Sequence, residues 1–252
     1  MWTVYLLVLL LGILGAVIYA AFRRKPHNRP ARFAGRIPGR RVTVCAGDSL
    51  TAATLSADFI SILKERFPGR QFVNGGINGD TSKGLIERAD EILACEPDEV
   101  AILIGTNEVR ISEDPTPYIE NVDALLSRLG TCQVALLSIP PLGENPRSQM
   151  NQRIARWNGT LRSLADKHSV QYLPLFEEIS KLLNGRDESF RLRISLLLSS
   201  ACRRYLFRQK FDDIAQAHGY TMLADQIHLS DRSGVVVADL VSKWLTDLQR
   251  GT

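Results

Sequence analysis

Hydrophobic residues follow two patterns along most of the chain: short continuous runs, and longer stretches in which they recur every three or four positions. Short runs bounded by turn residues predict buried strands, whereas the longer spacing predicts amphipathic helices. Strands are predicted at 42–47, 71–73, 99–104, 133–139 and 170–175, and helices at 55–67, 82–95, 117–129, 150–168 and 231–248. Alternation of strand and helix favours a parallel sheet covered on both faces. The predicted fold class is therefore α/β, a three-layer α/β/α sandwich with a parallel five-stranded sheet.

The N-terminal segment from Trp2 to Phe22 stands apart, because its 21 residues carry no charge. As a helix it would be about 31 Å long, enough to cross the hydrocarbon core of a bilayer. We therefore predict a transmembrane helix over 1–22. A buried core helix and a cleaved signal peptide are the alternatives. The signal peptide is disfavoured because no Lys or Arg precedes Phe22.

A strongly basic stretch follows this segment. It holds eight basic residues and no acidic one: Arg23, Arg24, Lys25, Arg29, Arg32, Arg36, Arg40 and Arg41. Interleaved prolines and glycines predict an irregular linker over 23–40. The positive-inside rule predicts a single-pass membrane protein with the residues after this stretch on the cytoplasmic side. A nucleic-acid-binding arm is the alternative, but beside an apolar segment such charges better suit anionic headgroups, so no nucleic-acid partner is expected.

The overall charge belongs to this basic stretch. The chain carries 31 basic and 27 acidic residues, a net charge of +4. Without the eight basic residues of the stretch, 23 remain against 27 acidic ones, so residues 42–252 carry −4. We assign residues 41–252 to one folded domain.

The first predicted strand runs into Gly47 and stops at Asp48 and Ser49. Ligand sites of open α/β sheets lie beyond the carboxyl ends of the strands, where a serine would be accessible. Ser49 is therefore a candidate nucleophile. The alternative is a turn serine that caps the following helix.

Three later blocks change this picture: Asn74 to Thr81, Gly105 to Glu108, and Asp225 to His228. In order and spacing, the four blocks resemble the SGNH (GDSL) family of serine esterases and lipases over roughly residues 41–248. The resemblance implies the α/β fold described above. It also implies that Ser49 is the nucleophile, that Asp225 and His228 complete a triad, and that Gly79 and Asn107 join the Ser49 backbone N–H in an oxyanion hole. Glu108 stands where aspartate is common in the family, and Gln226 and Leu229 replace a glycine and a proline that often flank the histidine.

The histidine content agrees with a role for His228. A serine hydroxyl needs a base with a pKa near 7, and histidine supplies it. Of the four histidines, His27 lies in the basic linker, and His168 and His218 lie near predicted helix ends. Only His228 has a carboxylate, Asp225, at a local spacing that lets it accept the ring N–H.

The segment at about 177–222 is predicted to be a helical insert in the catalytic domain. Within it, the stretch from Phe190 to Phe211 combines six basic residues with many large apolar ones and has no acidic residue. An extra helical pair packed on the domain is one interpretation. A lid or a membrane-facing surface is the other.

The function predicted from these features is a membrane-tethered serine hydrolase that cleaves carboxylic esters through an acyl-serine intermediate. Lysophospholipids or other acyl-lipid esters are the favoured substrates, because the tether and the insert would both place the site near lipid. An acyl-thioesterase or a sugar O-acetylesterase would use the same machinery. A non-catalytic membrane-bound binding protein is the alternative from another class. No cofactor is predicted, since no metal-ligand spacing or phosphate-binding glycine loop occurs in the sequence.

Overall fold

The computed structural model describes residues 1–183, 185 and 189–250. Its centre is a five-stranded parallel sheet with the strand order β2-β1-β3-β4-β5. The strands are β1 (Val42–Gly47), β2 (Gln71–Gly76), β3 (Glu99–Leu103), β4 (Gln133–Leu137) and β5 (Gln171–Leu173). The predicted parallel sheet and α/β class are therefore confirmed. The strand order reverses at β1, and open parallel sheets bind ligands beyond the carboxyl ends of their strands at such a point.

Helices cover both faces of the sheet. They are α1 (Trp2–Arg23), α2 (Ser49–Ala52), α3 (Phe59–Arg66), α4 (Ser82–Glu87), α5 (Ala89–Leu93), α6 (Glu108–Ile111), α7 (Thr116–Arg128), α8 (Gln149–Lys167), α9 (Leu175–Lys181), α10 (Ile194–Tyr205), α11 (Phe211–Ala217) and α12 (Asp231–Arg250). Val42, Val44 and Ala46 of β1 pack with α4, α5, α7 and α8, whereas Cys45 packs with α3, α9, α11 and α12. Successive side chains of a strand point to opposite faces, so β1 contributes to two cores.

Two predicted helices differ from the structure by more than two residues at one end or by a break. The helix predicted over 82–95 is divided into α4 and α5 at Arg88, whose side chain forms an ion pair with Asp80 and donates to the Gly47 carbonyl. The helix predicted from 55 begins only at Phe59. Asp58 caps it there by accepting from the Ser61 N–H at 3.0 Å.

The predicted membrane segment forms α1. Within the described residues, however, no helix is both long and apolar enough to cross a membrane. The predicted transmembrane span over 1–22 is therefore unsupported by the structure. The end of α1 packs on the catalytic fold, where Ala21 is buried in a small cluster with Leu55 and Ala201. The Phe22 carbonyl accepts a hydrogen bond of 3.0 Å from the Asn78 side chain.

Residues 24–41 are irregular apart from one 3₁₀ turn, Pro30–Arg32. They lie along the edge of the sheet. The Asn28 carbonyl accepts from the Asn74 N–H at 2.9 Å, and Arg36 forms a bidentate ion pair with Asp98. Part of the basic stretch is thus in contact with the catalytic fold.

The predicted helical insert contains α10 and α11, while residues 184 and 186–188 lie outside the described part of the chain. α10 packs against α1 through Ala201 and the partly buried Tyr205. Two of the insert's arginines are engaged within the chain, since both Arg203 and Arg204 donate to Gln209 at 3.1 Å. The exposed apolar side chains of this region include Ile194 and Phe207.

Candidate active site

Ser49 lies in a tight turn between β1 and α2. Gly47 is required there, because a Cβ at this position would stand 2.1 Å from the Leu103 carbonyl oxygen of β3. Asp48 then caps α2 by accepting from the Leu50 N–H at 2.9 Å. Ser49 is the first residue of the helix, so its N–H precedes the first intrahelical hydrogen bond. This turn presents both the hydroxyl and the N–H of Ser49 at the carboxyl end of β1.

The structure brings Ser49 together with His228 and Asp225, far away in the sequence. Ser49 Oγ lies 3.1 Å from His228 Nε2, and His228 Nδ1 lies 2.8 Å from Asp225 Oδ2. Asp225 Oδ1 accepts from the N–H groups of Ile227 and His228 at 3.2 and 2.9 Å. These contacts fix the carboxylate and hold the ring with Nδ1 protonated and Nε2 free to accept the serine proton.

The charges around His228 keep Asp225 ionised and make His228 a stronger base. Burial raises the pKa of Asp225, but the charge and the hydrogen bonds of His228 hold it below the ordinary range. Burial lowers the pKa of His228, but the carboxylates of Asp225 and then Asp48 raise it above its usual value. Arg110 acts in the opposite direction on the same ring. His228 can therefore accept a proton readily at neutral pH.

Asp48 is a second buried carboxyl at the site. Burial raises its pKa to about 7, and its Oδ2 has no hydrogen-bond partner among the described residues. Its Oδ1 accepts from Leu50, so the side chain stabilises the turn that carries Ser49. When Asp48 is ionised, its negative charge raises the pKa of His228.

Gly79 and Asn107 line the same cavity as Ser49 and His228. Gly79 has φ of +75°, a conformation that glycine adopts without strain, and an added Cβ would meet nothing within 4 Å. Asn107 Nδ2 donates to the Asp80 carbonyl at 2.8 Å, and its Oδ1 accepts from Arg110 at 3.1 Å. These contacts fix the amide plane and leave one Asn107 N–H as a further donor. Such donors stabilise an oxyanion by roughly 3 kcal/mol each.

The cavity has a volume of about 360 Å³ and a largely apolar wall. Its apolar residues are Phe22 of α1, Leu55, Leu192, Leu197 of α10, and Ile227. The end of α1 and the helical insert thus contribute directly to the walls around Ser49. A cavity of about 440 Å³, lined in part by Cys132, His168 and Trp244, contains none of the predicted site residues.

Sequence reasoning missed several residues that shape the site. Glu144 is buried, and one of its oxygens accepts from the N–H groups of Thr221, Met222 and Leu223 at 2.7, 2.5 and 3.0 Å. It therefore holds the segment that leads to Asp225. No local pattern around Glu144 signals this, since its partners lie 77–79 residues away.

Gln226, one of the departures from the family pattern, also supports the loop. It has φ of +74°, a region in which glycine is unstrained. Its side chain accepts from the Arg191 N–H at 3.0 Å and donates to the Tyr220 hydroxyl at 2.5 Å. These two contacts offset the backbone strain and connect the loop of Asp225 and His228 to the helical insert.

Comparison with known proteins identifies the sequence family of this chain. The sequence profile of the "GDSL-like Lipase/Acylhydrolase family" matches residues 45–196, more than half of the chain. A sequence search among curated proteins gives no match.

Solved structures share the fold at low sequence identity. A lipase/acylhydrolase from Enterococcus faecalis is 19% identical with a TM-score of 0.60, over 81% of this chain and 95% of that chain. A GDSL-like lipase from Bacteroides thetaiotaomicron is 15% identical with a TM-score of 0.61, over 87% and 94%. A single-residue variant of an acetyl xylan esterase from Geobacillus stearothermophilus is 16% identical with a TM-score of 0.59, over 81% and 93%.

Proposed function

Because this chain belongs to the GDSL-like lipase/acylhydrolase family and is a carboxylic ester hydrolase, we propose that Ser49, His228 and Asp225 cleave the ester through an acyl-serine intermediate. The observation that supports this proposal is the series of hydrogen bonds from Ser49 Oγ through His228 to Asp225. Ser49 and His228 line a cavity with a largely apolar wall. His228 Nε2 removes the hydroxyl proton as Ser49 Oγ attacks the ester carbonyl carbon.

The proposed reaction then has two halves. The negative charge that develops on the carbonyl oxygen is stabilised by the N–H groups of Ser49 and Gly79 and by the Asn107 amide. The protonated His228 gives its proton to the departing alcohol, which leaves an acyl-Ser49 ester. A water molecule, deprotonated by His228, attacks that ester through a second oxyanion, and the carboxylic acid and free Ser49 are regenerated.

The proposed substrates are lysophospholipids or other acyl-lipid esters. Five apolar side chains around Ser49 favour an acyl chain over a compact acetyl group. Outside the cavity, Phe207 is 68% exposed and Ile194 65% exposed on the helical insert. Exposed Arg208 and Lys210 lie close to Phe207 in sequence, a combination that suits an anionic lipid surface. Acyl-thioesters and sugar O-acetyl esters are the alternative substrates for the same groups.

A substrate panel tests the proposed function. We expect kcat/KM to be highest for a long-chain lysophospholipid in vesicles, lower for an acyl-CoA, and lowest for acetylated xylan and p-nitrophenyl acetate. A higher kcat/KM for acyl-CoA would indicate an acyl-thioesterase, and a higher kcat/KM for acetylated xylan would indicate a sugar O-acetylesterase.

Within the same panel, Phe207→Ser should weaken vesicle binding and lower hydrolysis of the vesicle substrate by about 3- to 10-fold, since it removes most of one buried aromatic contact with lipid. Hydrolysis of p-nitrophenyl acetate should stay unchanged. Val235→Ser, an exposed apolar position on α12, is the matched control. Equal changes for both substrates would reject a lipid-facing role for Phe207.

We propose that the chain is a single-pass membrane protein whose catalytic domain lies on the cytoplasmic side. It is supported by the uncharged sequence from Trp2 to Phe22 and by the eight basic residues that follow. We expect the full chain to resist extraction by alkaline carbonate. A green fluorescent protein fused after Thr252 should be bright, and alkaline phosphatase fused there should be inactive, because the phosphatase works only after export. Active phosphatase together with a dark fluorescent fusion would show the opposite orientation. Release of the chain by carbonate would show that the N-terminal segment does not anchor it in the membrane.

A further inference from the structure

Among the described residues that line the cavity around Ser49, one carries a guanidinium. Arg110 belongs to the short helix α6, which follows Asn107 directly, and its side chain is half-buried at the cavity wall. The other described lining residues are apolar or neutral polar, apart from the titratable His228. Arg110 is therefore the one permanently charged group among the described residues of this wall.

The contacts of Arg110 leave most of its hydrogen-bonding capacity unused. Its Nη1 donates to Asn107 Oδ1 at 3.1 Å, and no carboxylate of the described chain lies within ion-pair distance of it. Two other partly buried arginines, Arg88 and Arg153, are each paired with a carboxylate. A guanidinium has five N–H donors in a planar fork that fits phosphate and carboxylate groups.

Partial burial of an unpaired cation is unfavourable. Burial lowers the pKa of Arg110, and the charges of Asp48 and Asp225 oppose this only from a distance. A ligand anion in the cavity would supply the missing counter-charge. The apolar wall already suits the acyl chain of the ester, so the anion would belong to the alcohol part.

We propose that Arg110 is a specificity-determining residue that binds an anionic group, a phosphate or a carboxylate, on the alcohol part of the ester. This inference rests on the proposed function and narrows its substrate class to esters of acidic alcohols. Because Arg110 also contacts Asn107 Oδ1, a bound anion and the Asn107 amide share one guanidinium. Binding of the anion would then keep the Asn107 N–H directed at the oxyanion.

The pH profile on a neutral ester gives a second readout. Among the described residues, the charged groups that act on His228 are Asp225, Asp48 and Arg110, and of these Arg110 alone lowers its pKa. Removing the guanidinium should therefore raise the pKa of His228. Since the base must be neutral, the acidic limb of kcat/KM should move to higher pH in Arg110→Gln and stay in place in Arg110→Lys.

The decisive experiment compares matched short-chain esters that need no vesicle: 1-butyryl-glycerol 3-phosphate, butyryl glycolic acid and neutral 1-butyrylglycerol. Arg110→Gln should lower kcat/KM for a recognised anionic ester by about 10- to 100-fold, mainly through KM, because it removes a charge-assisted contact. The neutral ester should lose less than about 5-fold. Arg110→Lys should restore part of the loss, and the exposed Arg156→Gln serves as the control.

The results with the three esters separate the proposed anion-binding role of Arg110 from a purely positioning role. A selective loss on the phosphate ester or on the carboxylate ester supports the inference and identifies the anion. An equal loss on all three esters, with thermal unfolding unchanged, overturns it and leaves Arg110 as a residue that only positions Asn107. Anionic esters cleaved no better than the neutral one by the parent enzyme also overturn it while the proposed function stands. A parent enzyme inactive on every ester, long-chain ones included, rejects the proposed function itself.

Discussion

Replacing Ser49 by alanine should lower kcat/KM for ester substrates by at least about ten-thousand-fold while leaving the protein folded. The expected loss is large because Ser49 Oγ is the only atom of the protein that bonds to the acyl group in the proposed mechanism. The hydroxyl lines the cavity and contacts His228 Nε2 at 3.1 Å, so its removal opens no void in either core. Initial rates on p-nitrophenyl butyrate and labelling by a serine-reactive fluorophosphonate measure the effect.

The control for this variant is Ser163→Ala. Ser163 is exposed on α8, and its hydroxyl donates only to the Gly159 carbonyl of the same helix. It should keep parental activity and labelling. Parental activity in Ser49→Ala, with unchanged circular dichroism, would exclude Ser49 as the nucleophile. Parental labelling of Ser49→Ala would place the reactive hydroxyl elsewhere.

The central strands β1, β3 and β4 were predictable because they are covered on both faces and their sequences are therefore mostly apolar. Val42, Val44 and Ala46 belong to one core and Cys45 to the other, and Thr43 is buried as well, so no exposed position interrupts β1. The break between α4 and α5 was not predictable from spacing. It lies at Arg88, whose contacts with Asp80 and the Gly47 carbonyl join residues separated by 8 and 41 positions.

The candidate site was predictable to the extent that its chemistry is carried by local blocks. Ser49 follows a strand, and Asp225 lies three residues before His228, so each block is visible within a short window of sequence. The cavity walls were not visible in this way. Phe22, Leu192 and Leu197 meet around Ser49 only because α1 packs on α10, and amphipathic spacing does not specify which helices pack together.

Charged residues that act through long-range contacts were missed for the same reason. Glu144 accepts hydrogen bonds from three N–H groups of the segment before Asp225, and the residues adjacent to Glu144 in sequence do not indicate that role. Arg110 lies three residues after Asn107, and the sequence alone does not distinguish it from an ordinary surface arginine on a short helix. Its significance depends on burial and on the absence of a carboxylate partner among the described residues, which only the tertiary structure defines.

The second large effect is expected at Asp225, which controls the state of His228 in two ways. Its Oδ2 accepts the Nδ1 proton at 2.8 Å, which leaves Nε2 able to receive the proton of Ser49. Its charge also raises the pKa of His228. Asp225→Asn keeps an oxygen for the N–H groups of Ile227 and His228, so the turn should persist. The new amide N–H₂ would face Nδ1, so that Nδ1 becomes the acceptor and Nε2 carries the proton.

With Nε2 protonated, the ring donates to Ser49 and cannot act as its base. We therefore expect Asp225→Asn to lower kcat by about ten-thousand-fold at pH 7, with little change in KM. The residual activity should also have a shifted pH profile. Loss of the carboxylate lowers the pKa of His228, so the acidic limb of kcat/KM should move to lower pH, opposite to the shift expected for Arg110→Gln.

The matched control is Asp247→Asn, an exposed position on α12 that should keep parental kinetics. Thermal unfolding of both variants separates a local effect from misfolding, and we expect transitions close to that of the parent. A reduction of less than about 10-fold in Asp225→Asn would mean that His228 keeps its productive tautomer without the carboxylate, and Asp225 would then be only a loop-stabilising residue. An acidic limb that stays in place, with activity reduced as expected, would instead show that the titrating group is not His228, and the buried Asp48, whose pKa is raised to about 7, would be the next residue to replace.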